Sequence, residues 1–140
     1  MLNIIAIADD DFLVGRIEPD ADVDILISLG DLYDVTLKKA IDLYAPEHVI
    51  AVRGNHCVDQ SFPVPTIDLY LQTIERFGLT FGGFAGSWQY KKAGNHMYTQ
   101  NEAYELLQDF AAVDVFIAHN SPRGFHEREY RHPSGVRCIY

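Results

Sequence analysis

The sequence predicts an α/β fold in which a parallel sheet, covered on both faces, delivers polar residues to one edge. Three observations point there. Short apolar runs rich in β-branched residues recur at Ile4-Ile5-Ala6-Ile7-Ala8, Ile25-Leu26-Ile27-Ser28-Leu29 and Val49-Ile50-Ala51-Val52, and near-continuous apolar runs mark strands buried on both faces. Each run is succeeded closely by a polar cluster: Asp9-Asp10-Asp11, then Gly30-Asp31-Leu32-Tyr33-Asp34, then Gly54-Asn55-His56. Between the second and third runs, Leu37, Ala40, Ile41 and Tyr44 fall at helical spacing and Pro46 stops them, which makes a βαβ unit.

Beyond the third run, residues 61–66 carry Pro63 and Pro65 and form a loop, after which residues 67–74 and 79–84 read as two strands around Arg76-Phe77-Gly78. The second sheet of a sandwich begins there. Gly82, Gly83 and Gly86 lead into Ser87-Trp88-Gln89-Tyr90-Lys91-Lys92, expected to be a loop, with a solvated connection carrying one buried aromatic favoured over an overhang of the polar edge. Thr99-Gln100-Asn101-Glu102 matches a capping box, and Ala103, Leu106, Leu107 and Phe110 continue it as a helix face laid on the sheet. A fourth mostly apolar run, Val113-Asp114-Val115-Phe116-Ile117-Ala118, is a strand that ends in His119-Asn120-Ser121-Pro122.

Parallel strands deliver the residues at their C-terminal ends to a single edge of the sheet, where ligands bind in open α/β folds. Carboxylates, an amide and an imidazole from distant positions would therefore converge. Carboxylate oxygen suits hard divalent ions and imidazole suits transition metals, so the mixed Asp/Asn/His set favours a transition metal over calcium or magnesium. Two ions sharing a carboxylate would activate water and stabilise both oxygens of an in-line displacement at phosphorus. Structural alternatives stand beside each residue: Asp9 to Asp11 as a solvated turn, Asp31 as a helix cap, Asn55 and His56 as a simple turn. For Asp34 the helix N-cap is the expected role.

In this order the motifs resemble the calcineurin-like metallophosphoesterases, whose pattern is Asp-x-His, Gly-Asp, Gly-Asn-His-(Asp/Glu), a lone His and Gly-His-x-His. The resemblance implies a metallophosphoesterase-like β-sandwich flanked by helices. It implies Asp9 and Asp11 as ligands of a first metal, Asp31 as the bridge, Asn55 and His119 as ligands of a second, and His56 as the catalytic acid or stabiliser of transition-state charge. The implied activity is hydrolysis of a phosphomonoester or phosphodiester by a metal-bound hydroxide. The cofactors are two divalent ions, manganese first and iron, zinc, nickel or magnesium as alternatives. Asn55, Arg123 and Trp88 are candidate substrate contacts, Trp88 through its ring and Arg123 through phosphate, with Lys91 as a further attraction.

The chain departs from the pattern in three places. Asp11 stands where the family has His, and its harder oxygen favours Mn or Mg over Zn. Cys57 comes after His56 where the family has an acid. No Gly-His-x-His occurs in the 140 residues; His126 and His132 lie outside that motif. The expectation is thus a single domain, residues 1–140, shortened or incomplete at its C-terminus. A catalytically weak or silent metal- or partner-binding member is the alternative function. A sheet edge left open by a short C-terminus invites another chain, and a homodimer is one assembly that would cover it.

Composition is consistent with one globular domain. The hydrophobic fraction of 48% over 140 residues suffices for one core. A net charge of −9 disfavours binding to nucleic-acid backbone and leaves a small phosphorylated substrate as the partner class. No apolar run reaches membrane-spanning length and the N-terminus lacks signal-peptide features, so the expected location is the cytoplasm, with no membrane contact. Cys57 and Cys138 show no disulfide or metal spacing and read as free thiols.

Overall fold

The computed structural model describes residues 1–19, 21–58 and 60–121. Strands β1 (Ile4–Ile7), β2 (Ile25–Ser28), β3 (His48–Ala51) and β4 (Ile67–Asp68) pair in that order, all in parallel. The expected parallel sheet is present, and its central strands are buried on both faces. Alternate side chains explain why. Leu26 and Val49 join one core with Leu37, Ala40 and Tyr44 of helix α1 (Asp34–Tyr44), whereas Ile25, Ile27, Ile50 and Val52 point into a second.

That second core is the interior of the sandwich. Across it lie β5 (Thr73–Arg76), β6 (Leu79–Phe84) and β9 (Val115–Ala118), with β6 at the centre, antiparallel to β5 and parallel to β9. Phe81 and Ile117 meet Ile50, Val52 and Leu69 there. Gly83 lets the layers approach closely, since a Cβ on it would lie 2.8 Å from Val52 Cγ1 and 2.9 Å from Ile117 Cγ1.

Helix α1 carries the expected apolar face and ends at Ala45, whose left-handed φ of 41° returns its N–H to the Ile41 carbonyl. Its start differs from expectation. The N-cap is Tyr33, with no side-chain cap bond, and Asp34 is already helical. The Asp34 carboxylate is instead taken by the buried Arg53 guanidinium at 2.7 Å. The carboxylate is charged in either role, and Arg53 adds a full opposite charge on the donor side, which a backbone amide lacks.

Three further expectations are corrected. Residues 67–74 are not one strand: β4 ends at Asp68, Leu71 turns with φ 55°, and β5 begins at Thr73 in the other sheet. The chain changes sheets because Leu69 still donates to Ala51 while Leu71 donates to Gly83. Ser87 and Trp88 are not loop but strand β7 (Ser87–Trp88), paired with β8 (Met97–Tyr98). Helix α2 (Gln100–Leu107) has the expected capping box at Thr99 and Glu102, but stops before Phe110. Leu106 is exposed, and the contact with the sheet is made by Ala103 and Leu107 against Phe84, Trp88 and Tyr98. Phe110 still faces β6, over Gly82. Among the described residues, no helix is long and apolar enough to cross a membrane.

Candidate metal centre

The carboxyl ends of β1, β2 and β9 bring Asp9, Asp31 and His119 together, with one ligating atom from each lying within 4.8 Å of the others. Two of these residues adopt backbone that side-chain-bearing residues rarely tolerate: φ is 61° at Asp9 and 55° at Asp31. Such strain costs about 1–3 kcal/mol per residue and is held where the surrounding structure demands it. Here the demand is visible. The Asp9 N–H donates to the Gly30 carbonyl at 3.2 Å, tying the first polar cluster to the second.

The second cluster is pressed against the third. A Cβ on Gly30 would lie 2.3 Å from the Gly54 nitrogen, and a Cβ on Gly54 would lie 2.2 Å from Asp31 Oδ1. Both motifs therefore require glycine, because no side chain fits between the two loops. Asp31 Oδ1 accepts the His56 N–H at 2.8 Å, which leaves Oδ2 for the cluster.

His119 closes the site. Its Nδ1 lies 2.8 Å from the Leu29 carbonyl, an acceptor only, so Nδ1 carries the proton of that bond. In the neutral ring Nε2 then presents a lone pair, 3.3 Å from Asp31 Oδ2. Two lone-pair-bearing atoms repel unless a proton or a cation lies between them. The pair is nearly sealed from water, with each side chain 8% exposed, and Asp9 adds a second carboxylate. Two carboxylates and an imidazole anchored by a backbone carbonyl form a donor set that suits a divalent transition-metal ion. With bonds of about 2.0–2.2 Å two ligand atoms on one ion lie within roughly 4 Å of each other, so Asp9, Asp31 and His119 would need to close in only slightly to hold one.

The other expected residues surround this group. The Asp11 carboxylate is outside it and accepts the Tyr33 N–H at 3.1 Å, while lining a 160 Å³ cavity with Asp31 and His56. Asn55 is buried and donates from Nδ2 to the Tyr90 hydroxyl at 3.2 Å, so its Oδ1 is the atom left for a ligand. The His56 ring is exposed and forms part of the wall of that cavity and of an adjoining 260 Å³ one lined by Tyr33, Val35 and Val58. Trp88 packs into the Phe84–Ala103 cluster. Arg123, His126, His132 and Cys138 lie outside the described residues.

A family model for calcineurin-like phosphoesterases matches residues 7–139. The chain belongs to this family. No curated protein matches it significantly. A calcineurin-like phosphoesterase is in general a hydrolase of phosphoesters that depends on divalent metal, and in this chain Asp9, Asp31 and His119 form a group that could hold a metal ion.

Sequence reasoning missed two neighbours of the centre in this family member. Tyr90 has an exposed ring yet reaches Asn55, with the Lys91 ammonium 5.4 Å from its ring centroid. Nothing in the local sequence distinguishes it from Trp88 two residues earlier. Arg53 is 5% exposed, bonds Asp34 and the Gln60 carbonyl, and lies 3.6 Å over the Phe62 ring, which anchors the loop beyond Asn55 and His56. An arginine at the end of an apolar run was its one signal.

Proposed function

We propose that this chain hydrolyses a small phosphomonoester or phosphodiester at a centre of two divalent ions, with manganese as the preferred metal. The observation that carries the reading is the His119 Nε2 to Asp31 Oδ2 approach of 3.3 Å beside Asp9, in a tautomer set by the Leu29 carbonyl. Asp9 and, after a rotation away from Tyr33, Asp11 would hold one ion, and Asn55 and His119 would hold the other, with Asp31 available to both. When bound, the ions supply charge neutralisation at phosphorus and lower the pKa of water.

The chain's own groups do the rest. The Tyr90 hydroxyl accepts an Asn55 Nδ2 proton, which holds the amide and leaves its oxygen available to an ion. The His56 imidazole, at the common wall of the two cavities, donates a proton to the departing ester oxygen. The leaving group enters the 260 Å³ cavity beside Tyr33, Val35 and Val58. The net charge of −9 does not repel the substrate locally, because the ions invert the field where the carboxylates cluster.

One observation favours a metal-binding member that does not turn over: among the described residues, a single group of three His, Cys, Asp or Glu side chains converges. The experiment is elemental analysis of chelator-free protein and of the Asp31→Ala and His119→Ala variants, with assays on aryl phosphate mono- and diesters in added Mn²⁺. Two ions per chain, lost in both variants, with hydrolysis, supports the reading. One ion without hydrolysis supports the silent alternative, and no ion sinks both.

A further inference from the structure

We propose that Cys57 is the positioning residue of the metal centre, holding the Asp31 carboxylate in the orientation that ligation requires. The inference rests on the metal-binding reading of Asp9, Asp31 and His119. Cys57 occupies the position where the family pattern has an acid, and its thiol meets Asp31 and Gly54. Its side chain is buried and Sγ sits at the junction of two motif loops. Sγ accepts the Asp31 N–H at 3.2 Å and the Gly54 N–H at 3.3 Å, and lies 3.7 Å from Asp31 Oδ1.

These contacts converge on one residue. Asp31 is held in left-handed backbone, with φ 55°, and its amide would be an unsatisfied donor without the sulfur. Backbone amides left unpaired in a buried place are costly. The same thiol closes on Oδ1 together with the His56 N–H at 2.8 Å. With Oδ1 occupied on that side, Oδ2 is the oxygen presented to His119 Nε2 at 3.3 Å.

Size decides why a thiol stands here. Gly30 and Gly54 show that the loops touch with no room for a Cβ between them, and a carboxylate beside Asp31 would add like charge against the ligand. A thiol accepts two amide protons, donates its own weakly and carries no obligatory charge. Cys57 is a positioning residue rather than a ligand: it falls outside the Asp9, Asp31 and His119 group. Loss of a group that orients a metal ligand costs about 10–100-fold in metal affinity.

The test uses the full chain in a Cys138→Ala background, titrated with Mn²⁺ by calorimetry and with Co²⁺ by absorption, with thermal unfolding in chelator as the fold control. Cys57→Ala is expected to weaken Mn²⁺ about 10–100-fold and to change the Co²⁺ ligand-field bands. Cys57→Ser, which keeps an acceptor for both amides, is expected to restore most of the affinity. If Cys57→Ala does not fold, the reaction of the parent thiol with an aromatic disulfide reagent decides: slowing of modification by Mn²⁺ supports the proposal and an unchanged rate overturns it. Equal Mn²⁺ affinity in parent and Cys57→Ala also overturns it, as does a sulfur-to-cobalt charge-transfer band, which would make Cys57 a ligand. A parent protein that binds no metal would instead refute the reading on which this one rests.

Discussion

Gly54→Ala is the substitution that tests the geometry of the centre most sharply. A Cβ at this position would sit 2.2 Å from Asp31 Oδ1, 2.6 Å from Asp31 Cγ and 2.8 Å from the Asp31 nitrogen. Contacts to Cβ below 3.0 Å are essentially never seen, so the Asp31 carboxylate must retreat by about 1 Å, to reach ordinary packing distance. Rotation about the side chain alone does not clear the clash, because the backbone nitrogen is part of it. The φ of Gly54 is outside the left-handed region, which makes the cost steric rather than torsional. Overpacking of this kind destabilises by about 1–3 kcal/mol. A misplacement of about 1 Å at a functional group can cost on the order of 100-fold. Urea unfolding of chelated protein reads the first effect and calorimetric Mn²⁺ titration the second. Wild-type values in both would refute the account of why the second and third motifs begin with glycine.

Removing Arg53 should loosen the loop behind Asn55 and His56: Arg53→Met is expected to cost about 2 kcal/mol in urea unfolding, below the value for a sealed ion pair because the Asp34 side chain is 30% exposed. Arg53→Lys should not rescue it, since one ammonium cannot serve Asp34 and Gln60 and stack on Phe62 together. Gly83→Ala should push the two sheets apart at Val52 and Ile117 and lower stability by about 1–3 kcal/mol, read as a shift of the thermal midpoint. Mn²⁺ at about a hundredfold above its Kd should raise unfolding free energy by about 2.7 kcal/mol, an increment that chelator removes and that His119→Ala lacks. Glu102 is held below the usual glutamate pKa by the Thr99 backbone N–H and, next, by its hydroxyl. A lowered folded-state pKa stabilises above the unfolded value and loses that contribution as pH falls through the folded one. Protection of α2 amides from hydrogen exchange should therefore fall on acidification below the ordinary glutamate range, and Glu102→Gln should abolish the dependence.

The amino-acid sequence by itself determined the parts of this protein that local pattern controls. Runs such as Ile25 to Leu29 can be buried on two faces only within a covered sheet, and the spacing of Leu37, Ala40 and Tyr44 has one helical solution. The capping box at Thr99 and Glu102 is equally local, and it formed. Strand ends in a parallel sheet share an edge, so the order of the apolar runs is enough to assign Asp9 and Asp31 to one place, whereas His119 follows β9 in the other sheet and reaches them through the packing of the two layers.

Tertiary structure decided what depends on partners distant in sequence. The break at Leu71 arises because Ala51 and Gly83, in different sheets, compete for neighbouring amides, and no property of residues 67–74 announces it. Asp34 reads locally as a cap, yet Arg53, 19 residues away, offers a stronger bond. Asp11 and Cys57 show the same limit at the centre. The first has its carboxylate on Tyr33, and the second accepts the amides of Asp31 and Gly54. Hydrogen-bond choice among several near neighbours is settled by distance and direction, which only the folded chain supplies.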